Sequence, residues 1–538
     1  MKTKSQVEAA KISAALRART PLLWVVTREE TRVQGYLFQA AAAANYVARF
    51  WDVAAGATEF DGRSMRVDGS QDPGVMLTDI ANRARDTVDN GYGESRPNPI
   101  KAERNCWIMR DLPVWLAGIT GATACRQLRN HATTVAPSNR AQPVIVLSPS
   151  ADVPPELSGL ATVIQWPLPD RAEVGAILDS VLESNNLPLL SNGDREAAIG
   201  AAVGLSGEEI QACYGASLVL HRRIEVSTVA DEKKRVISKG KLIEWIDPLP
   251  DGMDAVGGLD VLKSWIVTRR KAFSPAARKF GLPAPKGMVL VGISGCGKTL
   301  TAKASATGLG LPIILRLDMG ALKGKYVGQS EANTREIFQT IDAVGPCVVW
   351  IDEIEKAMQG ATSGSADGGV SADQLGTFLT WMQERQGEAF VIATANDISQ
   401  LPPELSRKGR FDEVFWIDLP TQSERQAILA TALKAHGRTM DGIDASAVSD
   451  ACADFTGAEV AALVPDALFA AFDDDSRELT TQDLLTAARA TTPLAKQSEA
   501  KIRKMRSEAL GRFRPATSPE SGDGRNVTSN VKRMLDIA

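Results

Sequence analysis

The stretch that most restricts what this chain can become is GISGCGKT, Gly292 to Thr299. The apolar run Met288-Val289-Leu290-Val291 precedes it and a helix-prone segment, Leu300 to Ala306, follows. Strand, glycine loop and helix in that order make a P-loop. Gly292, Gly295 and Gly297 let the backbone of Ser294, Cys296 and their neighbours curl so that successive N–H groups point at phosphate oxygens. The helix beginning near Leu300 adds the positive end of its dipole. Lys298 then reaches the terminal phosphates of a nucleotide, and the Thr299 hydroxyl is offered to Mg²⁺.

A second motif follows the loop. Cys347-Val348-Val349-Trp350-Ile351-Asp352-Glu353 is a buried strand that ends in two carboxylates. Adjacent acids at the end of a buried strand are poor packing, because unpaired charge is costly to desolvate, and good chemistry beside a metal. Asp352 is placed to hold Mg²⁺ and Glu353 to polarise an attacking water. A third apolar run, Val391 to Ala395, ends in Asn396, which suits a polar contact near the γ-phosphate. Standing alone, Asn396 would read equally well as a cap after a strand.

At 538 residues the chain exceeds one hydrophobic core, and 44% hydrophobic residues suffice to bury several. A net charge of -4 argues against a surface that is basic all over. The six cysteines are scattered without CxxC spacing, so they read as reduced thiols in a cytoplasmic protein, with no zinc site. Cys296, inside the glycine loop, is expected to make the site sensitive to thiol reagents. No run approaches the length of a membrane span, and no HExxH protease signature occurs.

In order, the chain predicts a helix over residues 5–18, a strand at Leu22 to Val26, a helix over Tyr36 to Ala44 and a strand over Tyr46 to Val53. A surface loop follows from Thr87 to Pro99, then strands at Cys106 to Met109 and Pro143 to Leu147. This is the pattern of an α/β, doubly wound sheet. The layout then recurs. Pro154-Pro155-Glu156-Leu157 returns as Pro402-Pro403-Glu404-Leu405, and Leu168-Pro169 as Leu419-Pro420. Ser206-Gly207-Glu208-Glu209-Ile210 answers Thr456-Gly457-Ala458-Glu459-Val460, and Cys106 to Asp111 answers Cys347 to Asp352. Four landmarks in one order point to a duplication. The first copy has TREETRVQ, Thr27 to Gln34, where the second has its glycine loop, and Asp111-Leu112 in place of Asp352-Glu353. It is expected to bind no nucleotide.

The boundaries that follow are a first module over residues 1–228, a linker over 229–253, a nucleotide-binding core over 254–420, a helical lid over 421–500, and a tail over 501–538. Gln359 to Asp373 reads as a mobile insertion, Lys501 to Arg514 as a basic helix, Pro515 to Ser529 as disordered and Val531 to Ile537 as a short helix.

With LSRKGRFD at Leu405 to Asp412 added, the motif order resembles the AAA ATPases, the group that includes katanin, spastin and the FtsH protease. The resemblance extends over nearly the whole chain to AAA proteins of algal plastids and cyanobacteria that pair a degenerate N-terminal module with an active one. It rests on LLWVVTREETRV from Leu22, GTFLTWMQE from Gly376 and LPPELSRKGRFDEVFWIDLPTQSER from Leu401. The fold this implies is α/β, with tandem P-loop-type modules, each a parallel sheet with flanking helices and a small helical lid.

The resemblance further implies that Arg407 and Arg410 reach a neighbour's γ-phosphate in a homo-hexameric ring. It implies that Val256 and Gly257 flank adenine, and that Ala458 stands where other AAA+ groups carry a sensor arginine. Tyr326, Val327 and Gly328 would form a pore loop that grips extended polypeptide. Two departures stand out: Ala432 where the family's lid has histidine, and Gln329 where the pore segment has glutamate. ATP and Mg²⁺ are the implied ligands. The leading functional expectation is ATP-driven remodelling of a polypeptide client. An ATP-dependent switch that does not thread its partner stays open. A nucleic-acid motor draws only on the basic tail, and nothing points to a membrane.

Overall fold

The computed structural model describes residues 2–89, 95–97, 103–134, 140–238, 243–311, 313–319, 329–358, 368–385, 387–401, 403–407 and 409–518. These fall into two compact units divided between Val236 and Ile237.

The first unit holds strands β1 (Leu22–Val26), β2 (Val47–Asp52), β3 (Gly56–Thr58), β4 (Thr87–Asp89), β5 (Ser95–Pro97), β6 (Asn105–Arg110), β7 (Val144–Ser148) and β8 (Thr162–Gln165). Its main sheet runs β3-β2-β6-β7-β1-β8, parallel except for the β2–β3 pair. Both faces of the central strands are buried, which explains why β1 reads Leu-Leu-Trp-Val-Val with no polar alternation. Ile12 and Leu16 of helix Lys4–Arg17, with Leu37 of helix Glu30–Ala43, cover one face. Leu77 and Leu128, from helices Pro73–Arg83 and Gly118–Thr134, cover the other. Within the segment expected to be all loop, β4 and β5 instead pair as an antiparallel ribbon.

The second unit holds β9 (Ile243–Ile246), β10 (Gly287–Gly292), β11 (Ile314–Leu317), β12 (Cys347–Ile351), β13 (Ala389–Ala395), β14 (Glu413–Ile417) and β15 (Arg514–Pro515). The sheet order is β15-β14-β10-β13-β12-β11-β9, with only β9 antiparallel. Five strands therefore follow the same path in both units: β8-β1-β7-β6-β2 in the first and β14-β10-β13-β12-β11 in the second. This shared topology agrees with the repeat read from sequence. The protein is an α/β molecule of two mostly parallel sheets with flanking helices, as the expected tandem arrangement requires.

A run of four helices follows β8 in the first unit, and a corresponding four follow β14 in the second. In the first unit these are Arg171–Ser184, Asn192–Ala202, Gly207–His221 and Val226–Ser238; in the second, Gln422–Ala435, Ala445–Ala451, Gly457–Asp473 and Thr481–Ala490. The second set has its own core around Leu429, Leu433, Phe455, Leu463 and Leu484. Matching capping boxes start matching helices: Asp170 with Glu173 and Thr421 with Glu424, then Ser206 with Glu209 and Thr456 with Glu459.

Several expected boundaries move. Residues 229–238 complete the fourth helix of the first set, and β9 adds to the second sheet, so much of the expected linker is built structure. Helix Gly368–Glu384, anchored by buried Phe378, Leu379 and Met382, takes in residues 368–373 of the expected insertion. The basic helix is shorter than expected, Glu499–Ala509. It buries Ile502, Met505 and Ala509, and Arg506 grips Asp418 through contacts of 2.8 and 2.9 Å. The next residues are ordered: β15 pairs with β14, Ala516 N–H donates to the Trp416 carbonyl, and Ser518 donates to Asp260. Val531 to Ile537 lies outside the described residues, as do Tyr326, Val327 and Gly328.

A candidate ATP site at the strand ends of the second unit

The glycine loop leaves β10 and turns into helix Lys298–Leu309. Gly295 and Gly297 have φ of 81° and 82°, in the left-handed region that a side chain disfavours. At Gly295 a Cβ would also lie 3.0 Å from the Thr456 hydroxyl. The Gly295 carbonyl accepts the Ala458 N–H at 2.9 Å, so the start of lid helix Gly457–Asp473 is fastened to the loop. Ser294, Thr299 and Leu300 are exposed, while Cys296 is buried. Burial pushes the Cys296 thiol up to about 12, which works against the thiolate that thiol reagents attack.

Lys298 is buried, and Nζ donates to the carbonyls of Gly292 and Ile293 at 2.9 and 2.7 Å. Burial lowers its ammonium to about 8; the carboxylates of Glu355, Asp352 and Glu353 oppose that shift, as does Cys296.

The acids stand on the neighbouring strand ends. Glu353 follows β12 with φ 48°, a left-handed conformation that costs a non-glycine residue of the order of 1–2 kcal/mol. Its N–H donates to Thr394 Oγ1 at 3.0 Å, and that hydroxyl donates to Asp352 Oδ1 at 2.6 Å. Asn396 Nδ2 donates to Glu353 Oε1 at 2.9 Å. Lys356, one turn along helix Ile354–Met358, pairs with the other carboxylate oxygen of Glu353. Glu355 accepts the Asn396 backbone N–H at 2.9 Å. Three residues in this network were missed in the sequence: Thr394, Glu355 and Lys356. The first had a signal, a lone hydroxyl inside the otherwise apolar β13.

Thr299 and Asp352 offer hard oxygens, and with waters and phosphate oxygens they form a donor set suited to Mg²⁺, which keeps several waters when bound. Val256, expected beside adenine, is buried. A Cβ on Gly257 would come within 2.7 Å of Ile428 on lid helix Gln422–Ala435, so only glycine permits this approach. Leu259 N–H donates to Glu424 Oε1 at 2.8 Å. Of the two arginines, Arg407 is exposed, whereas Arg410 is half-buried and donates to the Glu404 carbonyl of its own loop at 2.8 Å.

The first unit differs at the same place. Only Thr27, Arg28 and Glu29 separate β1 from helix Glu30–Ala43, against five residues, Ile293 to Gly297, between β10 and its helix. The turn is too short to wrap a phosphate. Asp111 has φ 51°, the kink that Glu353 makes, so Asp111 takes the place of Glu353 and Arg110 that of Asp352. This corrects the sequence alignment by one residue and puts a guanidinium, paired with Asp52 and Glu30, where a metal ligand would stand. Arg32 fills the space beneath the lid helices. It donates to Glu29, to Glu173 at 3.1 Å, to Ser5 at 2.7 Å and to the Pro167 carbonyl at 2.7 Å. Glu29 in turn accepts the Gly207 N–H at 2.5 Å.

Comparison with known proteins matches this division. Residues 288–419 match the ATPase family associated with various cellular activities (AAA), and residues 8–166 match the SpoVK-like AAA ATPase N-terminal domain. The chain is 34% identical over 509 residues to the uncharacterized AAA domain-containing protein ycf46 of Guillardia theta, covering 93% of this chain and 95% of that one. It is 33% identical over 493 residues to ycf46 of Pyropia yezoensis, 89% and 93% of the two chains. The ATP-dependent zinc metalloprotease FtsH of Acidothermus cellulolyticus shares 33% identity over 211 residues, 38% of this chain and 31% of that one. With the ATPase domain and the N-terminal domain both matched, and the ycf46 proteins aligned over about nine-tenths of the chain, the chain belongs to the AAA ATPase family.

Proposed function

We propose that the protein is an ATP-driven remodeller of polypeptide, working as a ring in which the second unit carries the one hydrolytic site. The observation that carries this reading is the network Asp352–Thr394–Glu353–Asn396 at adjacent strand ends, facing the helix that begins at Lys298. Lys298 would leave the Gly292 and Ile293 carbonyls for the β- and γ-phosphates. Thr299 and Asp352 would hold Mg²⁺, which neutralises charge building up on the phosphates. Asn396 keeps Glu353 in line with a water. As that water's oxygen attacks the γ-phosphorus, Glu353 takes its proton, and the broken P–O bond leaves its electron pair on ADP.

Arg407, exposed and free of the own-chain tether that holds Arg410, suits action on a neighbour's nucleotide. FtsH, a metalloprotease by name, lends support to a polypeptide client. Tyr326 would then be the residue that grips it, since a flat aromatic contacts many sequences without hydrogen-bond readout.

Lys298→Ala is expected to lose nucleotide binding, while Glu353→Gln binds ATP and turns it over at least about a hundredfold more slowly. Tyr326→Ala is expected to keep basal ATPase activity and lose stimulation by a client captured on Glu353→Gln. A Tyr326→Ala protein that remodels that client at the parental rate would rule out threading.

A further inference from the structure

Glu355 is a third carboxylate at this site, and nothing in the scheme above gives it a task. It is 4% exposed. One carboxyl oxygen, Oε1, accepts the backbone N–H of Asn396 at 2.9 Å, and the other, Oε2, is buried with no hydrogen-bond partner. Burial pushes this carboxyl up, and the nearby Glu353 pushes it the same way while Lys298 opposes. An orphaned buried oxygen is a destabilising feature that an apolar side chain of equal size would avoid.

The place of the single bond it makes is informative. Asn396 is the first residue beyond β13, where the pairing with β10 has ended at Ala395. The backbone that sets the direction of the Asn396 side chain is held by Glu355, from helix Ile354–Met358 directly after β12. The Asn396 amide in turn holds Glu353 Oε1 at 2.9 Å. The order is therefore a closed loop: Glu353 and Glu355 leave one strand end together, and Glu355 fixes the neighbouring strand end that aims Glu353.

We propose that Glu355 is a positioning residue for ATP hydrolysis, acting through Asn396 on Glu353. This rests on the roles given above to Glu353 and Asn396. What it adds is that the aim of Glu353 depends on one acceptor oxygen, not on the charge that carries it.

The test compares two side chains of similar size in the full chain. Glu355→Met removes the acceptor without opening a cavity, and is expected to lower kcat about 10- to 100-fold while leaving the Kd for ATP within about threefold. Glu355→Gln keeps an acceptor oxygen and drops the charge, and is expected to recover most of the lost kcat. In an Asn396→Ala background, Glu355→Met should change kcat by less than about twofold, because its route is already cut. Parental kcat in Glu355→Met, no recovery in Glu355→Gln, or full additivity with Asn396→Ala would each overturn the proposal. Should Glu355→Met not fold, Glu355→Gln alone still decides, since a large loss of kcat there means charge and not position. Glu353→Gln measured alongside separates the two readings: if it too hydrolyses ATP at the parental rate, the site assignment itself fails.

Discussion

Glu353 is held in a left-handed conformation by Thr394, whose hydroxyl bridges the Glu353 backbone and the Asp352 carboxylate. Replacing that hydroxyl with a methyl keeps the shape and removes both bonds. Thr394→Val is therefore expected to lower kcat at least about tenfold, since two groups lose their partner at roughly 1 kcal/mol or more each, and ATPase assays at saturating ATP check it. Lys298, Asp352, Glu353 and Asn396 were legible in the sequence because each ends or follows an apolar run that can only be a strand or its loop. The partners of Thr394 and Glu355 were not, because those contacts join strand ends about forty residues apart, and Lys356 read as an ordinary helix-surface charge although its partner is only one turn away. Another residue-level consequence concerns pH. His131 is 2% exposed, donates from Nε2 to the Gln142 carbonyl at 2.7 Å, and burial holds its imidazole below the usual value. The unfolded chain binds that proton first as pH falls, so the first unit should lose stability below about pH 6.5, by up to about 1.4 kcal/mol per pH unit. Hydrogen exchange of β6 and β7 at pH 7 and pH 5.5 reads this, and the excess loss at pH 5.5 should vanish in His131→Phe.

At the scale of elements, the first unit keeps the strand order, the lid helices and even the kink after β6, while its phosphate loop has shrunk to a three-residue turn. The absence of the loop was plain from TREETRVQ. The replacement was not, because Glu29, Arg32 and Glu173 come together only when the lid closes on the sheet. Their side chains are 4, 14 and 6% exposed, so Arg32→Ala leaves two buried carboxylates without a counter-charge. Loss of one partner from such a cluster costs about 3–5 kcal/mol. Denaturant unfolding followed in the first unit should show a loss of this size, with ATPase activity per folded molecule unchanged. The tail was misread for a related reason. Pro515 to Ser518 has little apolar content beyond the buried Ala516, yet its backbone and hydroxyls pair with Trp416, Glu424 and Asp260, an order that hydrophobicity does not register.

Across the whole molecule, two copies of one α/β plan differ in chemistry, and the second carries the nucleotide-binding loop. A ring adds the requirement that Arg407 act across subunits. Arg407→Ala is expected to bind ATP and lose roughly 10³- to 10⁵-fold in turnover, and mixing it with Lys298→Ala should restore activity at hybrid interfaces. No recovery on mixing, with full activity in a monomer, would remove the ring. Phe469 and Phe472 are 74% exposed each; if the proposed ring buries them between copies, Phe469→Asp with Phe472→Asp should shift the sedimenting species to lower mass. The chain is expected to hydrolyse ATP at a single site in its second unit. Calorimetric titration of full-length Glu353→Gln with ATP and Mg²⁺ tests it most directly. One nucleotide per chain, lost entirely when Lys298→Ala is added, is the expected result; two per chain, or binding that survives Lys298→Ala, would contradict it.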